Sequence, residues 1–332
     1  MIAKTRGTGR GARSNEREGW WLPESDSPRL KVNSCKSLYC KIYCLILRVK
    51  IPMIMKNTFV VDIGGTKTSC SVLNKNDDGL KLLNNETFLT FPNPDLQIQR
   101  ILEVANANKD IDSLSLSLPG KWDKNGVLKE SCFLHDWLEY PFVNELKKQI
   151  NLQKVSFETD VICGGLGEYF YGGHNVSSLL YINLGTGIGA SFIQNGIPFK
   201  SDFAPTLRLQ KLVLPIDEEL YSAVEYISGG LLQSVSGFES VEALFDAYLK
   251  ADIEAIDIIS RAQTQLASIL INLFYIFAPE VIVLNGGLTY QWDIICEGAI
   301  DIASEELGNA ARIIPSKLRD FAPVYGAFHN QL

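Results

Sequence analysis

A single carboxylate set in front of a glycine turn is the first arrangement in this chain that could do chemistry. Phe59, Val60 and Val61 deliver Asp62 into the turn Gly64, Gly65, Thr66, Lys67, and alternation resumes over residues 69–73. Glycine carries no Cβ, so backbone N–H groups there can come up against an anion. Thr66 adds a hydroxyl and Lys67 a positive charge. Asp62 would repel a phosphate, so its place in such a site is to hold a metal ion, directly or through water, that bridges to one. The same residues also suit a plain β-hairpin, whose turn needs glycine for its backbone alone.

A second stretch of the same kind lies about 120 residues on. The apolar run 179–183 (LLYIN) enters a turn with Gly185, Thr186, Gly187 and Gly189, and residues 190–194 return. Two such units imply a duplicated architecture with a cleft between its halves. Neither unit is the GxxxxGK[ST] loop, and neither opens a helix as a dinucleotide fingerprint does. A third glycine turn, Asn285, Gly286, Gly287, follows the run 280–284. Between the first two turns a short strand over 155–157 ends at Glu158, Thr159 and Asp160, and a helix runs from there to about Tyr171, stopped by Gly172 and Gly173. An Asp at that junction can serve as a helix N-cap or as a base facing the cleft.

The elements that must position these residues follow from periodicity. Strands are expected over 86–91, 111–118 and 311–315, and helices over 96–107, 141–150, 241–249, 253–277 and 292–307, with a last segment at 324–329. Residues 253–277 are apolar on more than one face, which predicts a buried helix. Residues 203–220 show no clear period.

Of 332 residues, 46% are hydrophobic and 21% charged, an ordinary globular mixture. No apolar run reaches the roughly 18–20 residues that span a bilayer, so no membrane role is expected. Seven cysteines with irregular spacing and no CxxC pair fit a reducing, cytoplasmic setting. Cys70, Cys132, Cys163 and Cys296 read as core or near-core thiols. Residues 1–54 carry eleven Lys/Arg against four Asp/Glu, about +7, and the remainder carries 20 against 34, about −14. The acidic body gives no support to a nucleic-acid surface, and no nucleic-acid partner is expected. The basic leader is expected to be a non-native extension, with translation starting at Met53 or Met55, or else a disordered arm.

The three turns in this order, with Asp160 between the first two, resemble the sugar-kinase branch of the actin/hexokinase/Hsp70 ATPase superfamily, and more narrowly the ROK family (repressors, uncharacterised frames and kinases). The resemblance runs from about Asn57 to Phe328 and includes SLPGKWDKNGVL at 117–128 and YISGGLL at 226–232. It implies an α/β, two-lobed actin-like ATPase (ribonuclease H-like) fold, with a mixed sheet flanked by helices in each lobe. Residues 55–170 and the final helix, about 318–332, would form one lobe and 171–317 the other. It also implies ATP and Mg²⁺ in the cleft: Asp62, Gly64, Gly65, Thr66 and Lys67 as the first phosphate loop, Gly185, Thr186, Gly187 and Gly189 as the second, Gly286 and Gly287 beside the adenosine, and Asp160 as the catalytic base. The partner would be a small-molecule sugar, and the assembly a homodimer, to which apolar surfaces around Leu231 and Phe245 could contribute.

Several family features are missing. Thr159 stands where an Asn usually precedes the catalytic Asp, residues 201–209 (SDFAPTLRL) lack the ExGH motif, and the zinc-binding cysteine segment is absent near 222–225, so no structural zinc is expected. The Asn expected near 133–137 is also replaced. Pro119, Gly120, His135, Asp136, Thr159, Glu168 and Glu225 are left as the sugar side. His135 and Glu168 suit exposed surface positions equally well. The activity implied is phosphorylation of a hexose or amino-sugar hydroxyl. The alternative is a catalytically weakened nucleotide- or sugar-binding homologue acting as a sensor or partner.

Overall fold

The computed structural model describes residues 57–331 apart from 77–78, 153, 202–205, 217–218, 223–226, 230–231 and 233–235. The leader over 1–54, Glu225 and Leu231 lie outside the described residues.

Two five-stranded sheets carry the fold. The first is made of β1 (Asn57–Ile63), β2 (Lys67–Asn76), β3 (Gly79–Leu89), β4 (Ile111–Leu118) and, after the small hairpin β5 (Lys121–Trp122) and β6 (Leu128–Glu130), β7 (Lys154–Thr159). The second is made of β8 (Ser178–Leu184), β9 (Ile188–Gln194) and β10 (Ile197–Pro198), then β13 (Val281–Asn285) and β14 (Ile313–Pro315). Their strand orders are β3-β2-β1-β4-β7 and β10-β9-β8-β13-β14. Each sheet is thus an antiparallel meander of three strands whose first member pairs in parallel with a later strand, which in turn pairs in parallel with a last one. That is the duplication the two glycine turns announced. A separate hairpin of β11 (Val213–Ile216) and β12 (Glu219–Ser222) occupies part of the stretch expected to be irregular.

Among the described residues these α-helices flank the sheets: α1 (Pro94–Ala107), α2 (Phe142–Ile150), α3 (Asp160–Tyr171), α4 (Val241–Leu249), α5 (Ile253–Phe277), α6 (Glu297–Leu307) and α7 (Ala322–His329). Local chemistry sets their starts. The Asn93 side chain accepts from the N–H groups of Asp95 and Leu96 ahead of α1, Ser240 accepts from Ala243 at α4, and Asp252 from Ala255 at α5. Trp292–Cys296, expected to open one helix, is a π-helical turn leading into α6.

The long helix α5 corrects one expectation. It buries one stripe, with Ala255, Ile259, Ala262, Leu266, Ile269, Leu270 and Leu273 inside, while Ile253, Tyr275 and Ile276 are exposed. On its open side Thr264, Ser268 and Asn272 donate to carbonyls one turn back, which satisfies the hydroxyls and the amide without partners elsewhere. Phe245, expected at a dimer surface, is 5% exposed and belongs to the core against α5. Cys132 is exposed, unlike Cys70, Cys163 and Cys296.

The chain's last helix returns to the first sheet, where Val324, Ala327 and Phe328 pack on Val60, Leu73 and Cys163. Helix α3 shares that core through Cys163 and meets the second sheet through Ile162, Leu166 and Ile193. Where α3 and α7 cross, Gly167 and Gly326 let the backbones touch. A methyl group on Gly326 would be driven into the Cys163 carbonyl oxygen, and one on Gly167 into that of Ala322. The helix that begins with Asp160 is therefore clamped between the two sheets.

Candidate active site

Parallel pairing lines up the strand ends of the first sheet. Asp62 lies opposite Ser117, Ser117 opposite Glu158, and Leu118 opposite Thr159. With strands about 4.8 Å apart, the carboxylates of β1 and of the β7–α3 junction stand two strand spacings from one another. The Ser117 hydroxyl donates to Asp62 Oδ1 at 2.5 Å. Burial raises the Asp62 pKa to about 7; the Ser117 bond opposes this, and the charges of Asp160 and Asp320 add to the rise. Burial also lifts Asp160, to about 6, against the pull of the Val161 N–H, which donates to Asp160 Oδ1 at 2.9 Å. Asp160 is the first residue of α3, not its cap. Thr159 holds the N-cap position and makes no side-chain capping bond.

The first bend is held from behind. The Gly64 N–H donates to the Lys67 carbonyl at 2.8 Å, and the Thr90 hydroxyl to the Gly64 carbonyl at 2.9 Å. Thr90 also meets Thr68 hydroxyl to hydroxyl, and buried Gln97 donates to Thr68. This relay fixes the turn while Thr66 and Lys67 stay exposed. In the second bend the Gly185 N–H donates to the Gly187 carbonyl at 2.9 Å. Gly189 then passes so close to α3 that a methyl there would meet Val161 Cγ1 at 2.7 Å. The Ser191 hydroxyl donates to the Val161 carbonyl at 2.6 Å. The second bend is thereby tied to the first turn of the helix that carries Asp160.

The third turn joins the same edge. Gly286 has φ +98°, and a side chain there would strike the Leu184 carbonyl. The Gly229 N–H, from the SGG stretch, donates to the Gly185 carbonyl at 2.8 Å, with Leu288 close by. Gly287 faces open space.

The expected sugar-side residues divide. His135 and Asp136 are exposed and line a pocket of about 170 Å³ beside Gly65. Gly120 has φ +91° and sits tight on the Glu130 carbonyl, and buried Pro119 accepts from Trp122 Nε1 at 2.8 Å, so both are spent on holding the β5–β6 hairpin. The Thr159 hydroxyl is buried and lies 3.4 Å from Glu158 Oε1. Glu168 is a correction. It is fully buried, 2.5 Å from His174 Nε2, and accepts from the Ser316 hydroxyl and the Leu318 N–H at 2.5 and 2.8 Å. It ties α3 to the segment that leads into α7, and its complete burial puts it out of reach of a sugar in this structure. Sequence reading missed Ser117, Thr90, Asp320 and Phe133. Of these only Asp320, which acts on Asp62 and accepts from the Tyr290 hydroxyl at 2.8 Å, has a side chain that suggests chemistry on its own.

Among the described residues no three acids, histidines or cysteines come together as a ready-made metal cluster. Asp62 stands alone in the first bend's strand end, and Mg²⁺ needs only one or two carboxylates when substrate phosphates and water complete its shell, so this residue suffices.

Comparison with known proteins gives the class first. A ROK family glucokinase from Streptomyces griseus, in complex with glucose and AMPPNP, superposes with a TM-score of 0.69 at 20% identity, covering 83% of this chain and 99% of that one. A ROK family protein from Streptococcus pneumoniae, in complex with sucrose, gives a TM-score of 0.70 at 23% identity, covering 83% of this chain and 98% of that one. The fold is that of the two-lobed actin-like ATPases. The ROK family model matches residues 58–203 and 233–330. The glucokinase of Thermotoga maritima is 25% identical over 301 residues, covering 80% of this chain and 94% of that one. The chain belongs to the ROK family.

Proposed function

We propose that this sugar kinase of the ROK family holds the phosphates of ATP between the bends at 64–67 and 185–187 and uses Asp160 to take the proton from a hexose or amino-sugar hydroxyl as its oxygen attacks the γ-phosphorus. In this reading residues 55–170 with 318–332 form one lobe and 171–317 the other, and the cleft lies between them. The observation that carries it is the convergence of both bends with Asp160: Gly189 abuts the first turn of α3, and the Asp160 charge is felt at Asp62. Phosphoryl transfer asks mainly for positioning and charge compensation, which backbone donors, Thr66, Lys67 and Thr186 can supply. Asp62 would hold Mg²⁺, with Asp160 and Asp320 adding to the local negative field, and the bound ion would neutralise phosphate oxygens. A glucokinase from Thermotoga maritima and a fructokinase from Lactococcus lactis are among its relatives, which supports a hexose as acceptor.

The test is ADP release from Mg·ATP with glucose, fructose, N-acetylglucosamine and N-acetylmannosamine offered singly. At least one sugar is expected to raise ADP release above the sugar-free rate. Nucleotide binding with no turnover on any acceptor would favour the sensor reading instead.

The raised carboxylates give a pH signature. Asp160 must be ionised to accept a proton, so kcat/KM is expected to be level above neutrality and to fall as pH drops through about 7 and about 6, where Asp62 and Asp160 take up protons. An acid limb near pH 4, the range of an ordinary carboxylate, would remove Asp160 from the role.

A further inference from the structure

The loop after β6 places an aromatic ring where the two bends face each other. A methyl group on Gly65 would stand 2.8 Å from Phe133 Cγ, and one on Gly187 would stand 3.1 Å from Phe133 Cζ. The base of the ring therefore lies on the first bend and its tip on the second. Glycine at these positions leaves a Cα face open to an anion, and one side chain covers both faces.

The ring is not there as core. Phe133 is 40% exposed, whereas its neighbour Leu134 is buried. The loop is fixed on either side of it. The Ser131 hydroxyl accepts from the N–H groups of Phe133 and Leu134 at 3.2 and 3.0 Å, and Trp137 Nε1 donates to the Pro92 carbonyl at 2.8 Å. Beside the ring lies the pocket of about 170 Å³, walled also by Thr90, Phe91, Pro92 and Leu134. Phe133 is itself one wall of that pocket, so the free space lies directly against the ring.

We propose that Phe133 is a gating residue for the phosphate tail of the nucleotide, a role that rests on the kinase reading above. With the ring between the bends, the outer phosphates cannot be held by both. With the ring withdrawn into the side pocket, they can. The ring-in state thus lowers apparent affinity for a triphosphate by the fraction of molecules that are open, and leaves a nucleoside monophosphate untouched.

The experiment is calorimetric titration of the full chain, as wild type, Phe133→Ala and Phe133→Trp, with Mg·AMP-PNP and with AMP, no sugar present. Removing the ring is expected to lower Kd for AMP-PNP by about fivefold or more, as for a competent fraction of about a fifth or less. The Trp variant is expected to raise it, and AMP is expected to bind all three alike. Because the side chain is substantially exposed, the Ala variant is expected to keep its thermal midpoint, which the same samples report. Equal AMP-PNP affinity in wild type and Phe133→Ala would overturn the gate while leaving the kinase reading standing. Parallel changes for AMP and AMP-PNP would also overturn it, by placing the ring against the nucleoside. Failure of all three chains to bind AMP-PNP would overturn the kinase reading and the gate with it.

Discussion

Asp160→Asn is expected to keep binding Mg·ATP, with at most a few-fold change in affinity, and to turn over sugar about 10²–10⁴-fold more slowly, the range for loss of a positioned general base. The substitution is nearly isosteric. The amide oxygen can still accept from the Val161 N–H as the carboxylate does at 2.9 Å, so the first turn of α3 should keep its shape. What is lost is basicity. Asp160 sits at the N-terminus of α3, where the helix dipole favours its charged form, while burial opposes it and sets a pKa of about 6. A base in that range is ionised at neutral pH yet strong enough to share a proton in the transition state. Steady-state kinetics with a productive sugar, beside a nucleotide titration of the same variant, checks this; undiminished turnover would show that another group does the work.

The second large effect is expected far from any substrate. Gly326→Ala pushes a methyl group into the Cys163 carbonyl at the crossing of α3 and α7. The obstacle is backbone, which cannot rotate away as a side chain could. Overpacking of a tight core usually costs about 1–3 kcal/mol, and this site belongs at or above the upper end. For a chain of this size that is a fall in Tm of roughly 4–5 °C or more. The functional loss should exceed the stability loss. Helix α3 starts with Asp160, and a shift of about 1 Å in a catalytic group can cost about 10²-fold in rate. Gly167→Ala, whose methyl would meet the Ala322 carbonyl across the same crossing, is expected to behave alike. Thermal unfolding and kcat measured together test this, and a Gly326→Ala protein with the wild-type Tm would show that the helices have slack.

Much of this arrangement was legible in residue types. Glycine turns advertise themselves, and Asp62 and Asp160 sit at the ends of apolar runs, so the strand-end site could be read before any geometry. Helix limits at 241–249 and 253–277 came out correctly because Ser240 and Asp252 are caps with a local signature. Strand β4 was equally plain from its alternation. The failures share one cause, namely partners distant in sequence. Strand β3 was expected only over 86–91 because Asn84 and Asn85 look like loop residues. In the fold Asn85 accepts from Ser69 and Ser71 across the sheet, and Asn84 donates to Asn108. Glu168 looked like a surface or sugar-side acid because its partners Ser316 and Leu318 lie about 150 residues on. Phe133 gave no sign at all. A lone exposed aromatic carries no information until the two glycines it covers are brought together.

Both bends are expected to grip one polyphosphate, with Asp160 facing its outer end. A crystal structure of the protein with Mg·AMP-PNP tests it most directly. The account predicts the phosphates between residues 64–67 and 185–187, Asp62 on the side of the metal, and the Asp160 carboxylate turned towards the terminal phosphorus. Phosphates bound away from either bend, or Asp160 turned from the terminal group, would contradict it.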